Sequence, residues 1–179
     1  MLIVADTTPL ISLMKIERLD LLEKLFQRVV IPDAVYRELT SSVSFPEEAR
    51  QIAKSEFIDR ISVADARSID LFRRSAGLDL GESEAIIYAS AHHADILLMD
   101  EAKGRQIAKT MGLTVMGTIG ILLESFGEGF LAAEDIESAL AKLKANNRYI
   151  SGKLIRCIRE KIRSEAENPK ILNVVNRRG

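Results

Sequence analysis

The fold is decided by the stretch LIVAD at residues 2–6, whose pattern is repeated by DILLMD at residues 95–100. Each stretch contains a short, continuous apolar run that ends in an aspartate. Such runs are typical of strands that are buried on both faces of a parallel sheet. Parallel strands are joined by crossover connections, which are usually helices. The two stretches therefore predict an α/β fold in which Asp6 and Asp100 directly follow buried strands.

The remainder of the chain alternates strand-like and helical patterns. RVVIP at 28–32 and TVM at 114–116 predict two further strands, and ISV at 61–63 predicts an edge strand. Apolar spacing predicts helices over 9–15, 20–26, 46–55, 65–75, 79–89, 103–111, 118–126, 133–144 and 152–167, a helix from residue 33 that carries Glu38, and a loop at 41–46. This order predicts a three-layer α/β/α fold with a mostly parallel central sheet.

Length and composition restrict the class of protein. The chain has 179 residues, of which 47% are hydrophobic, and this is enough for one domain with a core. No apolar run approaches the roughly 20 residues of a membrane-spanning helix. The N-terminal residues lack the basic segment of a secretory signal. Cys157 is the only cysteine, which excludes an internal disulfide framework. We therefore expect a soluble, cytoplasmic protein with no membrane partner.

Charge is distributed unevenly along the chain. Residues 1–141 contain 14 Lys/Arg and 23 Asp/Glu, a net charge of −9, whereas residues 142–179 contain 11 Lys/Arg and 3 Asp/Glu, a net charge of +8. An acidic body with a basic tail suits a protein that binds cations in one place and phosphates in another. The alternative is that the basic tail is simply a solvated helix.

Several acidic residues are candidates for a metal site. In open parallel sheets, ligands bind at the carboxyl ends of the strands, where Asp6 and Asp100 are expected. A buried carboxylate is costly unless a cation or hydrogen bonds compensate it, and Glu38 and Glu82 lie on helices that follow strands. Oxygen donors of this kind suit Mg²⁺ or Mn²⁺, which can activate water for attack on a phosphodiester. Taken singly, each aspartate is equally compatible with a helix N-cap or a turn.

Other catalytic motifs are missing from the sequence. There is no GxSxG elbow, no GxxxxGK[ST] loop and no GxGxxG fingerprint, which argues against the usual hydrolase, nucleotide-triphosphatase and dinucleotide-binding classes. The segment GTIG at 117–120 is a weak phosphate-loop signal, and a strand-to-helix turn with Thr118 as N-cap explains it equally well. Arg105 could pair with Asp100 or contact a phosphate.

The sequence also resembles the PIN-domain family, in particular its subgroup related to VapC-type toxin ribonucleases. The resemblance rests on five segments in the right order over residues 2–126: VADTTPLISLMKIERLDLLEKLF, VVIPDAVYREL, LDLGESEAIIYA, ADILLMDEAKGRQIA and VMGTIGIL. It implies a PIN-like catalytic domain at 1–126 that cleaves single-stranded RNA with a divalent metal ion. The implied catalytic acids are Asp6, Glu38, Glu82 and Asp100, of which Asp6, Glu82 and Asp100 would bind the metal, with Thr7 and Thr118 in support.

The chain departs from the commonest family pattern in two places. The third acid is a glutamate rather than the more usual aspartate, and Glu84 competes with Glu82 for the role. Leu98 stands where many relatives have Ser or Thr, two residues before the fourth acid. The subgroup further implies the toxin half of a toxin–antitoxin pair, with an antitoxin protein as a partner, and we expect a homodimer.

Residues 127–179 form a basic helical C-terminal extension by this interpretation. Lys153 and Arg156 could line a surface that binds the phosphates of the RNA substrate. In the alternative interpretation, the apolar face of the same helix binds a partner or a second copy, and the basic residues are only solvated.

Two rival functions remain open at this point. One is a non-catalytic RNA- or protein-binding module of PIN-like fold. The other is a Mg²⁺-dependent phosphohydrolase of the haloacid-dehalogenase type that acts through an aspartyl-phosphate. The second rival lacks the acid expected two positions after Asp6, because Thr8 stands there.

Overall fold

A computed structural model describes residues 1–41, 46–63 and 65–167. The predicted loop at 41–46 therefore lies largely outside the described residues. The chain divides into two compact units, Met1–Thr118 and the residues from Ile119 onward. The division predicted from the sequence, after residue 126, stays a prediction.

The first unit is built on a five-stranded parallel sheet. Its strands are β1 (Ile3–Ala5), β2 (Val29–Pro32), β3 (Ile58–Ile61), β4 (Ile96–Leu98) and β5 (Val115–Met116). All neighbouring pairs run parallel, in the order β3-β2-β1-β4-β5. The prediction of a three-layer α/β/α fold around a parallel central sheet is confirmed.

Helices connect the strands and continue the chain after the sheet. They are α1 (Thr7–Lys15), α2 (Asp20–Phe26), α3 (Asp33–Ser41), α4 (Pro46–Lys54), α5 (Ala66–Ala76), α6 (Leu80–Ala91), α7 (Ala102–Thr110), α8 (Thr118–Gly127), α9 (Ala133–Ala145) and α10 (Gly152–Glu167). No helix among the described ranges combines the length and the apolar character needed to cross a bilayer.

The position of β3 corrects one prediction. We expected the edge strand at 61–63, but it lies at Ile58–Ile61 and pairs with β2 from Val29↔Ile58 to Pro32↔Ile61. Ion pairs between the two strands and their flanking residues fit this register: Arg28 binds Asp59, and Arg60 binds Asp33. An edge strand of mixed polarity has no continuous apolar run, so its ends cannot be read from hydrophobicity alone.

The strand order creates a switch point between β1 and β4. From β1 the chain moves outward through β2 to β3, and it then crosses back to place β4 and β5 on the other side of β1. Connections on the two sides diverge at such a point, and the crevice they leave outside the carboxyl ends of the strands is the usual ligand site of open parallel sheets. Asp6 follows β1 and Asp100 follows β4, so both lie at this edge.

Helix α6 packs on the centre of the sheet. Its residues Ala85, Ile86 and Ala89 belong to one buried apolar cluster together with Val4 of β1 and Leu97 of β4. The helix is buried on most sides, including its first turn. Packing of α6 against β1 and β4 therefore fixes where its N-terminal acidic residues lie.

The second unit contains most of α8, together with α9 and α10. Ile136 and Leu140 of α9 and Ile158 of α10 are buried. Arg159 of α10 donates two hydrogen bonds to the Glu137 carboxylate of α9, at 2.7 and 2.8 Å. Apolar packing is thus accompanied by a two-point ion pair between these two helices.

Replacing Ile86 with alanine should destabilise the first unit by about 2–5 kcal/mol, because the side chain is fully buried and its removal leaves a cavity. Urea unfolding followed by circular dichroism measures the change. The matched control is Leu71→Ala on α5, where the side chain is 71% exposed. Equal losses in the two variants would contradict the core assignment.

Candidate functional site

Asp6 is a buried carboxylate at the switch point. Its backbone N–H donates to the carbonyl of Leu98 at 2.9 Å, which continues the β1–β4 ladder by one residue, and the residue is only 2% exposed. The pKa of Asp6 is raised from 3.8 to about 7, mainly by burial and also by the nearby carboxylates of Asp79, Glu82 and Glu38, against a backbone hydrogen bond at Thr7 that lowers it. The side chain thus shares its surroundings with three other acids.

Glu38 reaches this group from α3. The hydroxyl of Thr7, at the start of α1, donates to Oε2 of Glu38 at 2.7 Å. Thr7 is buried, whereas Glu38 is largely exposed. The hydrogen bond therefore fixes the position of one oxygen of Glu38.

The first turn of α6 contributes two acids. Oδ1 of Asp79 accepts a hydrogen bond from the Glu82 N–H at 2.7 Å, and Oε2 of Glu82 accepts one from the Asp79 N–H at 3.0 Å. This reciprocal pair is a capping box, and its pattern of Asp followed by Glu three residues later is visible in the sequence. Asp79 was not among the site residues predicted from the sequence. Burial raises the pKa of Glu82, with further contributions from Asp79, Glu101 and Glu38.

Glu84, also on α6, makes different contacts from those of Glu82. Its Oε2 accepts a hydrogen bond from the backbone N–H of Ala34 at 2.9 Å, at the N-terminus of α3. Its other oxygen lies 4.0 Å from the Arg37 guanidinium. Glu84 therefore ties α6 to the start of α3, where the helix dipole favours a negative charge. Of the two competing glutamates, Glu82 is the one whose charge acts on Asp6.

Asp100 follows β4 and is bound by the first residue of α8. Oδ1 of Asp100 accepts from the Thr118 N–H at 2.7 Å, and Oδ2 accepts from the Thr118 hydroxyl at 2.6 Å. A Cβ atom on Gly117 would lie 2.7 Å from Oδ1 of Asp100, so a side chain at this position would displace the carboxylate. The GTIG segment thus forms the strand-to-helix turn, and this turn holds Asp100.

The basic candidates lie in different places. Nη1 of Arg105 donates to the carbonyl of Met99 at 2.7 Å, close to the Asp100 carboxylate that also flanks Gly117. This contact supports a structural role for Arg105. Lys153 and Arg156 are exposed residues of α10, in the second unit.

The acids do not form a finished coordination sphere. In the part of the chain that the structure describes, no three His, Cys, Asp or Glu side chains stand together in a metal-binding arrangement. Asp6, Glu38, Asp79 and Glu82 instead form a negatively charged cluster, which we call the acidic cluster, and Asp100 lies at the same edge of the sheet. Which of these residues perform chemistry stays a prediction.

The raised pKa of Asp6 predicts a pH-dependent stability. Below pH 4 the carboxyl is protonated in both the folded and the unfolded chain. Between pH 4 and about 7 the unfolded chain releases the proton while the folded chain retains it, so the contribution of Asp6 to the free energy of unfolding falls as the pH rises. In EDTA, Asp6→Asn should come closest to the native chain at about pH 3 and exceed it by on the order of 1–3 kcal/mol at pH 8.

Denaturant unfolding at several pH values measures this difference. Asp95→Asn is the matched control, because Asp95 lies at the other end of β4 and accepts a hydrogen bond from the Leu2 N–H on the surface. The control should show no such pH-dependent gain. A constant offset between Asp6→Asn and the native chain at all pH values would contradict the prediction.

Comparison with known proteins identifies the fold family. A family model described as a PIN domain matches residues 2–164, which is most of the chain and includes α9 and nearly all of α10. No curated protein and no solved structure matches the chain. The PIN domain is a nuclease-type fold whose members usually use divalent metal ions. With its five-stranded parallel sheet and this match, the chain belongs to the PIN-domain family.

Proposed function

We propose that this protein is a Mg²⁺- or Mn²⁺-dependent endoribonuclease that cleaves single-stranded RNA by hydrolysis. The observation that carries the proposal is Asp6, a buried carboxylate at the switch point of a PIN domain, surrounded by other carboxylates. Repulsion among these groups costs free energy that a bound cation would recover. A cluster of this kind is better explained by cation binding than by structure alone.

The donor set suits a hard divalent ion. The acidic cluster offers only carboxylate oxygens, the donors that Mg²⁺ and Mn²⁺ prefer. We assign Asp6, Glu82 and Asp100 as metal ligands and Glu38 as the fourth catalytic acid. When bound, the ion would supply the activation of water and the stabilisation of phosphate charge that hydrolysis requires.

The surrounding residues would orient these acids. The Thr7 hydroxyl holds one Glu38 oxygen, and we assign to the Glu38 carboxylate the role of accepting a hydrogen bond from the attacking water. Thr118 holds both oxygens of Asp100 through its N–H and its hydroxyl. Each carboxylate oxygen can accept more than one hydrogen bond, so these contacts orient the carboxylates and still allow them to accept further bonds.

Substrate binding would come from basic residues outside the acidic cluster. Lys153 and Arg156 are exposed on α10 and available for contacts with RNA phosphates. We retain Arg105 as a weaker candidate, because one of its nitrogens already binds the Met99 carbonyl. Contacts of this kind depend little on base sequence, so they would raise affinity without selecting the cleavage site.

We further propose that this protein is the toxin half of a toxin–antitoxin pair and that it acts in the cytoplasm. Support comes from the PIN domain and from the resemblance of the five motif segments to VapC-type ribonucleases. The corresponding partners are an antitoxin protein and a second copy of the chain.

A ribonuclease assay tests the reaction. End-labelled single-stranded RNA should be cut by the native chain with Mn²⁺ or Mg²⁺ and left intact with EDTA. Asp6→Asn and Asp100→Asn should each lower the rate at least about 100-fold, because each removes a charge that the metal requires. Gel analysis of initial rates provides the measurement.

Asp95→Asn serves as the control for this assay, because it neutralises an aspartate at the opposite end of β4. Its rate should stay within about twofold of the native rate. A folded native chain that binds RNA but cuts none with either ion would favour the non-catalytic module. Cleavage that survives Asp6→Asn would refute the assigned site.

The role of α10 is tested separately. The double variant Lys153→Ala/Arg156→Ala should weaken RNA binding in a salt-dependent manner, by about 3- to 10-fold in dilute salt, because two phosphate contacts are lost. Fluorescence anisotropy at two salt concentrations measures the effect. Arg50→Ala/Lys54→Ala on α4 removes the same charge from exposed positions. If both double variants bind equally well, α10 is only a solvated helix.

A further inference from the structure

We infer that Asp79 is a positioning residue for Glu82: its side chain fixes the first turn of α6, and this turn holds one oxygen of the Glu82 carboxylate. The inference rests on the proposed function, because it assigns how one of the proposed metal ligands is oriented. Asp79 itself was not among the acids expected from the sequence.

The capping box determines the orientation of the Glu82 side chain. Oδ1 of Asp79 binds the Glu82 N–H at 2.7 Å and sets the backbone of the first turn of α6. The Asp79 N–H then faces back toward the helix and donates to Oε2 of Glu82 at 3.0 Å. A glutamate has three rotatable bonds, so without this partner its carboxylate would sample several rotamers. The reciprocal bonds select one of them.

The opposite side of Glu82 is confined by α7. A Cβ atom on Gly104 would lie 3.3 Å from Oε1 of Glu82 and 2.5 Å from Sδ of the buried Met99. A side chain at this position would therefore clash with Met99 and would also crowd the Glu82 carboxylate. One oxygen of Glu82 is held by its own helix terminus, and the other faces a neighbouring backbone that carries no side chain.

The capping box gives Asp79 a role that does not require its carboxylate to bind the ion. Its Oδ1 is engaged by the Glu82 N–H, as in an ordinary helix cap. If Asp79 acts through its hydrogen bond to the Glu82 N–H, the Asp79→Asn variant should bind Mn²⁺ nearly as well as the native chain. The side-chain oxygen of asparagine caps helices equally well but carries no negative charge. If Asp79 acts through its negative charge, the Asp79→Asn variant should bind Mn²⁺ more weakly than the native chain.

The experiment measures Mn²⁺ affinity from the rise in melting temperature during a Mn²⁺ titration, for the native chain, Asp79→Ala, Asp79→Asn and Asp65→Ala. Asp65 caps α5 by accepting from the Ser68 N–H at 3.1 Å, and it is exposed, so its alanine variant matches the loss of a cap. We expect about 10-fold weaker Mn²⁺ affinity in Asp79→Ala, as for other residues that orient metal ligands. Asp79→Asn and Asp65→Ala should stay within about threefold of the native value.

The alternative outcomes are distinct. Equal losses in Asp79→Asn and Asp79→Ala would overturn the positioning role in favour of a charge role. A native affinity in Asp79→Ala would show that the box is a structural cap alone. Should Asp79→Ala fail to fold, Asp79→Gly replaces it, because glycine at an N-cap costs only a few tenths of a kcal/mol. A native chain with no Mn²⁺ response would refute the proposed function itself, and the inference with it.

Discussion

The structure depends above all on the parallel pairing of β1 with β4. These strands lie side by side from Ile3↔Ile96 to Ala5↔Leu98, although more than 90 residues separate them in sequence. Their pairing makes the switch point of the sheet and brings Asp6 to the same edge as Asp100. Helix α6 packs against both strands and delivers Asp79 and Glu82 to that edge. Without the pairing of β1 with β4, Asp6 and Asp100 would not lie at the same edge of the sheet.

The concentration of carboxylates at this edge of the sheet lowers the stability of the folded chain. Burial and neighbouring negative charge disfavour the ionised form of Asp6, which is the physical meaning of its raised pKa. The fold limits this cost by giving each acid a local partner: Thr7 for Glu38, the N-terminus of α6 for Glu82 and Thr118 for Asp100. Glu84 instead accepts a hydrogen bond from the N-terminus of α3. The carboxylates at this edge lower the stability of the fold and concentrate negative charge there, a combination that is common at functional sites.

Much of this could be predicted from sequence, for identifiable reasons. β1 and β4 are continuous apolar runs that end in aspartate, so their burial and the edge occupied by Asp6 and Asp100 follow from pattern alone. β3 could not be placed, because Asp59 and Arg60 interrupt its apolar pattern and its register follows its pairing with β2. The capping box was visible in DLGE at 79–82, but the approach of its aspartate to Asp6 results from the packing of α6, which no local pattern reports.

The separation of β1 from β4 also has a consequence for synthesis. A growing chain that has exposed only β1, β2 and β3 contains Asp6 and Glu38 but not Asp100, and the hydrogen bonds from Thr118 to Asp100 can form only after Thr118 has emerged from the ribosome. Domains fold largely as units during translation. The edge can therefore be complete only after the segment up to Thr118 has been made. Products that terminate before this residue would lack the full set of contacts that holds Asp100 at the edge of the sheet.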